Sequence, residues 1–183
     1  DEFKDAVFGT ELIKMMKEAY QVGKTLTEAT ATFVNRLFSE YGLLMIDGDD
    51  KDLKKIAQKV FRDELLNHTL VKNSHVKVEF LKKKYGKVQV NPREINLFYL
   101  SEARNRIEKE EHIYKIVDTE KTFSESEILQ ELDNHPEWFS PNALMRPVFQ
   151  ELVLPNVAYI GGNAEIMYWL ELKDFFKTIN LPY

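Results

Sequence analysis

Asp47, Asp49 and Asp50 crowd the turn Asp47-Gly48-Asp49-Asp50, directly after the apolar run Leu43-Leu44-Met45-Ile46. Carboxylates beyond the end of a strand can bind Mg²⁺ through one or two oxygens, hold ribose hydroxyls or accept a substrate ammonium group. They also have a plainer use, with Asp50 capping the following helix and its neighbours favouring the positive end of that helix dipole. Asn142, Arg146 and Gln150 recur at every fourth position, which a continuous helix lines up on one face. An arginine between two amides is a clamp for a carboxylate or phosphate, or else the partner of an acidic neighbour in a structural bridge. Gly161-Gly162-Asn163-Ala164-Glu165 follows a third apolar run. Paired glycines let backbone N–H groups approach an anion at a helix N-terminus, although a tight turn asks for glycine equally. Glu165 would repel a phosphate there and favours a polar or cationic group. Arg93, Glu94 and Asn96 gather at a further apolar run, and a buried Asn96 must be hydrogen-bonded to a ligand or to backbone.

Other chemistries are excluded or unsupported. The chain has no cysteine, which removes disulfides, thiolate metal sites and cysteine nucleophiles, and fits a reducing compartment. Its four histidines, His68, His75, His112 and His135, offer no metal-ligand spacing, so no metal site is expected. Only seven glycines occur in 183 residues, with no glycine-rich phosphate loop among them. A net charge of −5 argues against nucleic acid as partner, and no apolar window is long enough to span a membrane. No serine–histidine–aspartate arrangement can be located. Lys82-Lys83-Lys84 reads as a solvated helix face; Tyr168 and Trp169 follow the glycine turn, and Trp169, Phe175 and Phe176 read as core.

With 44% hydrophobic residues the chain can build a core to position these groups. Apolar spacing predicts a helix over Phe3–Tyr20, with Gly23 at its cap. A second helix opens on the capping box Thr25-Leu26-Thr27-Glu28 and ends at Gly42. Leu43–Ile46, Ile95–Leu100 and Val157–Ile160 lack alternation, as strands covered on both faces of a parallel sheet do. A third helix follows the acidic turn, and a fourth runs from about Val71 to Tyr85, closed by Gly86. Arg104–Glu110 and His112–Val117 alternate loosely and predict an antiparallel ribbon. Ser124-Glu125-Ser126-Glu127 caps a short helix ending near His135-Pro136. Helices are expected over Ser140–Leu154, with Pro147 at a first turn or kink, and over Ala164–Phe176. The fold class is thus α/β, a partial Rossmann-like three-layer core over residues 1–103 and 140–183 with an inserted β-ribbon and helix over 104–139. The chain starts without methionine inside a predicted helix, which reads as an excised piece of a longer protein.

The blocks Tyr41–Asp50, Gln89–Leu100 and Phe139–Gly162, with Thr25–Ala29, Ala164-Glu165 and Tyr168-Trp169-Leu170, resemble the bacillithiol biosynthesis cysteine-adding enzymes. The resemblance runs in order through essentially the whole chain. It implies a ligase of the bacterial cytoplasm joining cysteine to glucosaminyl-malate, with ATP and Mg²⁺ as cofactors in the complete enzyme. It also implies a core like that of class I aminoacyl-tRNA synthetases, interrupted by connecting peptides, and a coiled coil, absent here, that pairs two copies. The family chain is about three times as long, and its glycine-rich Gly-Gln-Gln-type motif is missing here, so this piece alone is expected to be inactive. The resemblance assigns no catalytic residues. The binding candidates remain Asp47, Asp49, Arg93, Asn96, Asn142, Arg146, Gln150, Gly161, Gly162 and Glu165. The alternative is a non-catalytic nucleotide- or partner-binding module whose 104–139 segment is the contact element.

Overall fold

The computed structural model describes residues 6–183 and separates into two compact units, one ending at Gly48 and one running from Asp49 to Tyr183. In the first unit, α1 (Gly9–Ala19) packs on α2 (Leu26–Phe38). The predicted box closes α2: Thr25 Oγ1 accepts from the Glu28 N–H at 3.2 Å, and Thr25 N–H donates to Glu28 Oε2 at 2.8 Å. Ala19 and Ala29 are buried, and Tyr20 lies over Phe33 with ring centres 6.5 Å apart. Helix α1 is shorter than the predicted Phe3–Tyr20, and Phe3 lies outside the described residues.

The second unit begins with α3 (Lys51–Asn67), capped by Asp50 Oδ1 accepting from the N–H groups of Asp52 and Leu53 at 2.9 and 3.0 Å. His68, in the left-handed region at φ 53°, turns the chain into α4 (Thr69–Tyr85), which Gly86 ends at φ 80°. Then come β1 (Leu97–Leu100), β2 (Arg104–Glu110), β3 (Ile113–Ile116), β4 (Thr122–Ser124), α5 (Glu125–Asn134) and β5 (Phe139–Pro141). The chain closes with α6 (Met145–Val153), α7 (Asn163–Trp169) and α8 (Lys173–Thr178). Helix α3 packs on α5 and α6, and α4 on α8. Phe61 and Leu65 of α3 meet Leu97, Tyr99, Ile107, Ile116, Phe139 and Val148 in one buried cluster.

The α/β layout, a sheet with flanking helices, is as expected, but the parallel sheet is not. The strand order is β4-β3-β2-β1-β5 and every pairing is antiparallel. Phe98 of β1 stands opposite Arg106 of β2 and Ser140 of β5, so the run read as a parallel core strand shares its sheet with the ribbon. The turn Ser101–Ala103 is short enough only for an antiparallel hairpin, since a parallel partner needs a long crossover. Leu43–Ile46 and Val157–Ile160 are not strands at all, with Leu44 74% and Val157 107% exposed. Uninterrupted apolarity argues for burial, but a strand exists only where a second backbone takes up its N–H and C=O groups. The last predicted helix is two helices, broken where Glu171 and Leu172 turn inward, and Phe139–Pro141 is strand rather than the start of α6. Pro147 sits in the first turn of α6, where its missing N–H costs nothing.

Candidate functional site

Helix α6 carries Arg146 toward the glycine turn that starts α7. Its Nη1–H donates to Gln150 Oε1 at 2.9 Å, one turn along, as the fourfold spacing requires. Its Nη2–H groups are shared among Tyr159 Oη at 3.2 Å, Glu165 Oε1 at 3.0 Å and Tyr168 Oη at 3.1 Å. Tyr168 Oη in turn lies 3.1 Å from Glu165 Oε1. Hydrogen bonds from Tyr159 and Tyr168, with the nearby Arg146 charge, hold the Glu165 carboxyl below its ordinary range. Arg146 and Glu165 are both half-exposed, at 38% and 40%. The Arg146 Nε–H and its second Nη1–H find no acceptor among the described residues, so the guanidinium keeps donors to offer.

The two glycines behave differently. A Cβ on Gly161 would stand 2.6 Å from Tyr159 Cε1 and 3.3 Å from the Glu165 Cβ, so glycine here admits the tyrosine ring. Gly162 faces open space. The expected anion pocket at this turn is filled from within, because Glu165 Oε2 accepts from the Gly162 N–H at 3.4 Å. The Glu165 carboxylate thus already stands at the N-terminus of this seven-residue helix, where it disfavours a second negative charge.

Asn96 and Asn142 belong to a buried network instead. Glu64, fully buried on α3, accepts from the Asn96 N–H at 3.0 Å, Asn96 Nδ2 at 2.7 Å and the Leu70 N–H at 2.9 Å. Burial pushes the Glu64 carboxyl upward against these three donors. Asn96 Oδ1 accepts from Asn142 Nδ2 at 2.8 Å and from the Arg93 N–H at 3.1 Å. Asn142 Oδ1 then takes the N–H groups of Leu144 and Met145, both at 3.0 Å, and its carbonyl accepts from the Arg146 N–H at 2.8 Å. Asn142 therefore turns the chain into the start of α6, just ahead of Arg146. Asn96 thus pairs with the Glu64 carboxylate of α3 and with the backbone of Arg93, to whose carbonyl its Nδ2 donates at 2.8 Å.

The remaining candidates lie apart. Asp49 stands 3.2 Å from Lys54 Nζ, and Lys54, fully buried, also donates to the Phe139 carbonyl. Asp47 belongs to the first unit, on a cavity of about 540 Å³ that Leu26, Ala31, Met45 and Ile46 also line. The Arg93 side chain borders a polar cavity of about 330 Å³ with Arg106, Glu108 and Lys109. Tyr159, Glu64 and Lys54 went unmarked in the sequence, and Tyr168 was noted there only for following the glycine turn. Tyr159 and Tyr168 had one available signal, their position on either side of Gly161-Gly162.

The α/β unit thus sets a braced arginine–glutamate pair beside a glycine turn. The family model described as "Bacillithiol biosynthesis BshC, N-terminal Rossmann-like domain" matches residues 1–183, and the chain belongs to that family. A Flavobacterium johnsoniae protein named "Putative cysteine ligase BshC" is 47% identical over 173 residues, 94% of this chain and 32% of its own length. Its namesake in Cytophaga hutchinsonii is 43% identical over 166 residues, 90% of this chain and 32% of the relative. That of Staphylococcus haemolyticus is 28% identical over 184 residues, 99% and 34%. The chain thus spans about a third of the length of these relatives.

Proposed function

We propose that this chain is a segment of a ligase that forms a carbon–nitrogen bond between cysteine and glucosaminyl-malate in bacillithiol biosynthesis. Arg146 and Glu165 hold the two charged ends of the amino acid. The observation carrying this reading is the half-exposed Arg146–Glu165 pair at 3.0 Å, braced by Tyr159 and Tyr168 and retaining unspent guanidinium donors. A free amino acid is a carboxylate and an ammonium held a few bonds apart. The guanidinium binds the first by charge-assisted hydrogen bonds, and the carboxylate accepts from the second. Because Glu165 is held below its ordinary range, it stays ionised at neutral pH. It positions the amine rather than taking its proton.

Joining an amine to a malate carboxylate needs that carboxylate activated, which ATP supplies in the complete enzyme. Among the described residues no group of three histidine, aspartate or glutamate side chains could hold a metal ion. Mg²⁺ would arrive on the nucleotide, and no step is assigned to it. Asp47 and Asp49 remain binding candidates at their turn, as does Arg93 at its polar cavity. Segment 104–139 is the connecting-peptide insertion of this reading. The segment alone does not turn over, and the complete enzyme works in the cytoplasm as a homodimer paired through a coiled coil. No helix among the described residues is long and apolar enough to cross a membrane.

The test is assay of the full-length protein with cysteine, glucosaminyl-malate and individual nucleoside triphosphates, following product by mass spectrometry. Bacillithiol that appears only with all three supports the proposal. Absence of product with every triphosphate refutes it.

A further inference from the structure

An unbroken run of hydrogen bonds leads from the Glu64 carboxylate to the helix that carries Arg146. A buried carboxylate on α3 has a desolvation cost that an apolar residue of the same size would avoid. Both its oxygens are engaged: Oε1 takes the N–H and the Nδ2 of Asn96, and Oε2 takes the Leu70 N–H. Asn96, also fully buried, is thereby held by its backbone and its side chain at once. Its amide has no bond left over. Nδ2 donates to Glu64 and to the Arg93 carbonyl, and Oδ1 accepts from the Arg93 N–H and from Asn142 Nδ2. Turned over, that amide would set its oxygen against the Glu64 carboxylate and its NH₂ against the NH₂ of Asn142. Asn142 is tied twice as well, since its N–H donates to the Asn96 carbonyl at 3.0 Å beside the side-chain bond of 2.8 Å. With Nδ2 engaged, its Oδ1 accepts from the Leu144 and Met145 N–H groups, and its carbonyl accepts from the Arg146 N–H.

We infer that Glu64, acting through Asn96 and Asn142, is a positioning residue for Arg146. The carboxylate anchors Asn96, Asn96 anchors Asn142, and Asn142 fixes the first turn of α6, from which the guanidinium reaches Tyr159, Glu165 and Tyr168. Arg146 is the second residue of α6, so a shift of that turn moves its backbone directly. Its Nη2–H groups are shared among three acceptors at 3.0 to 3.2 Å, and a displacement of about 1 Å carries such contacts out of hydrogen-bond range. The half-exposed pair supplies little rigidity of its own, because ion pairs in that setting are weak. The buried, fully satisfied network behind it supplies the rigidity. The inference rests on the ligase reading for what Arg146 binds, whereas the placement of Arg146 can be tested without it.

The test is calorimetry of L-cysteine and of cysteamine, which lacks the carboxylate, on the full-length protein and three variants, with a crystal structure of one. Glu64→Leu keeps the bulk and removes the acceptor. Glu64→Gln keeps an oxygen for Asn96 and gives up the Leu70 bond. Asn142→Asp keeps the acceptor for Leu144 and Met145 and removes the donor to Asn96, so the inference stays refutable even where Glu64→Leu fails to fold. Glu64→Leu and Asn142→Asp should each lose about tenfold in the preference for cysteine over cysteamine, while cysteamine affinity holds. Glu64→Gln should retain most of that preference despite a lower melting temperature. Crystals of Asn142→Asp should show the Arg146–Glu165 contact opened from 3.0 Å to beyond about 3.5 Å. Melting temperatures that fall while the preference holds in Glu64→Leu and Asn142→Asp overturn the inference and leave the ligase reading standing. An unchanged contact in that crystal overturns it too. A wild-type protein indifferent to the carboxylate, with the contact opened in the crystal, refutes the ligase reading and upholds the placement of Arg146.

Discussion

Arg146 Nη2 stands 3.0 Å from Glu165 Oε1, and the same oxygen lies 3.1 Å from the Tyr168 hydroxyl, so two side chains nineteen positions apart form one polar centre. Both are half-exposed, and an ion pair in that setting contributes about 0–1 kcal/mol to stability. The centre is weakly anchored as structure, and the proposed function makes it a receptor. Arg146→Lys should therefore lower the melting temperature only slightly, by about 1 kcal/mol or less of stability. It should cost about 1.5–3 kcal/mol in substrate binding, roughly tenfold to a hundredfold in kcat/KM of the full-length enzyme. Thermal denaturation and steady-state kinetics on the one variant separate the clamp from the bridge, and a large stability loss with unchanged kinetics assigns Arg146 to structure.

Gly161 and Gly162 should part company on substitution. Gly161→Ala drives a methyl to 2.6 Å from the Tyr159 ring, which must move, disturbing both the Trp169 stack and the Arg146 bond. The expected cost is about 1–3 kcal/mol, as for overpacking elsewhere. Gly162→Ala meets open space and should stay within about 1 kcal/mol of wild type. Chemical denaturation of both variants reads the difference, and equal effects would show that Tyr159 does not depend on the close approach at Gly161.

Asn96→Asp places a second carboxyl at the 2.7 Å contact with Glu64 in a fully buried site. Two ionised groups cannot coexist there, so one must take a proton or the fold must open. The variant should be destabilised by about 3 kcal/mol or more at neutral pH, and less so near pH 5. Asn96→Ala, which only unpairs the network, should cost about 1–3 kcal/mol with little dependence on pH. Denaturant midpoints at the two pH values distinguish them.

What the sequence revealed depends on range. The capping boxes at Thr25–Glu28 and Ser124–Glu127, the Asp50 cap and the Gly86 stop were legible because each is settled by neighbours within one helical turn. The ribbon was legible from its alternation. The Glu64–Asn96 bond joins residues 32 apart, and no local pattern announces it. Leu97–Leu100 was recognised as a strand, but its partners depend on the tight turn at Ser101–Ala103 and on the return of Phe139–Pro141. Leu43–Ile46 and Val157–Ile160 show the limit of apolarity as evidence, because without a pairing partner four hydrophobic residues do not make a strand. Of the candidate site, fourfold spacing found Arg146 and Gln150, and Glu165 stood out at the glycine turn. The tyrosines that bind them together became visible only in three dimensions.

Glu171 gives the fold a pH dependence. It is fully buried, and burial pushes it up to about 7 against the opposing pull of the Val90 backbone and the Lys82 charge. Its ordinary value is 4.5. Between those values the folded chain holds a proton that the unfolded chain has released, so stability falls as pH rises through this window and levels off above about 7. Glu171→Gln removes that titration and should flatten the decline between pH 5 and 8 by on the order of 2–3 kcal/mol. Denaturation midpoints across that range, unchanged in slope between the two proteins, would refute the assignment.

The most direct measurement of the Arg146–Glu165 centre is calorimetry of the full-length protein with L-cysteine and two one-ended analogues. Cysteamine lacks the carboxylate, and 3-mercaptopropionate lacks the amine. Cysteine should bind at least tenfold more tightly than either. Arg146→Lys should erode its advantage over cysteamine alone, and Glu165→Gln its advantage over mercaptopropionate alone. Binding of cysteine that is equal in wild type and both variants would contradict the account and leave the pair as a surface bridge.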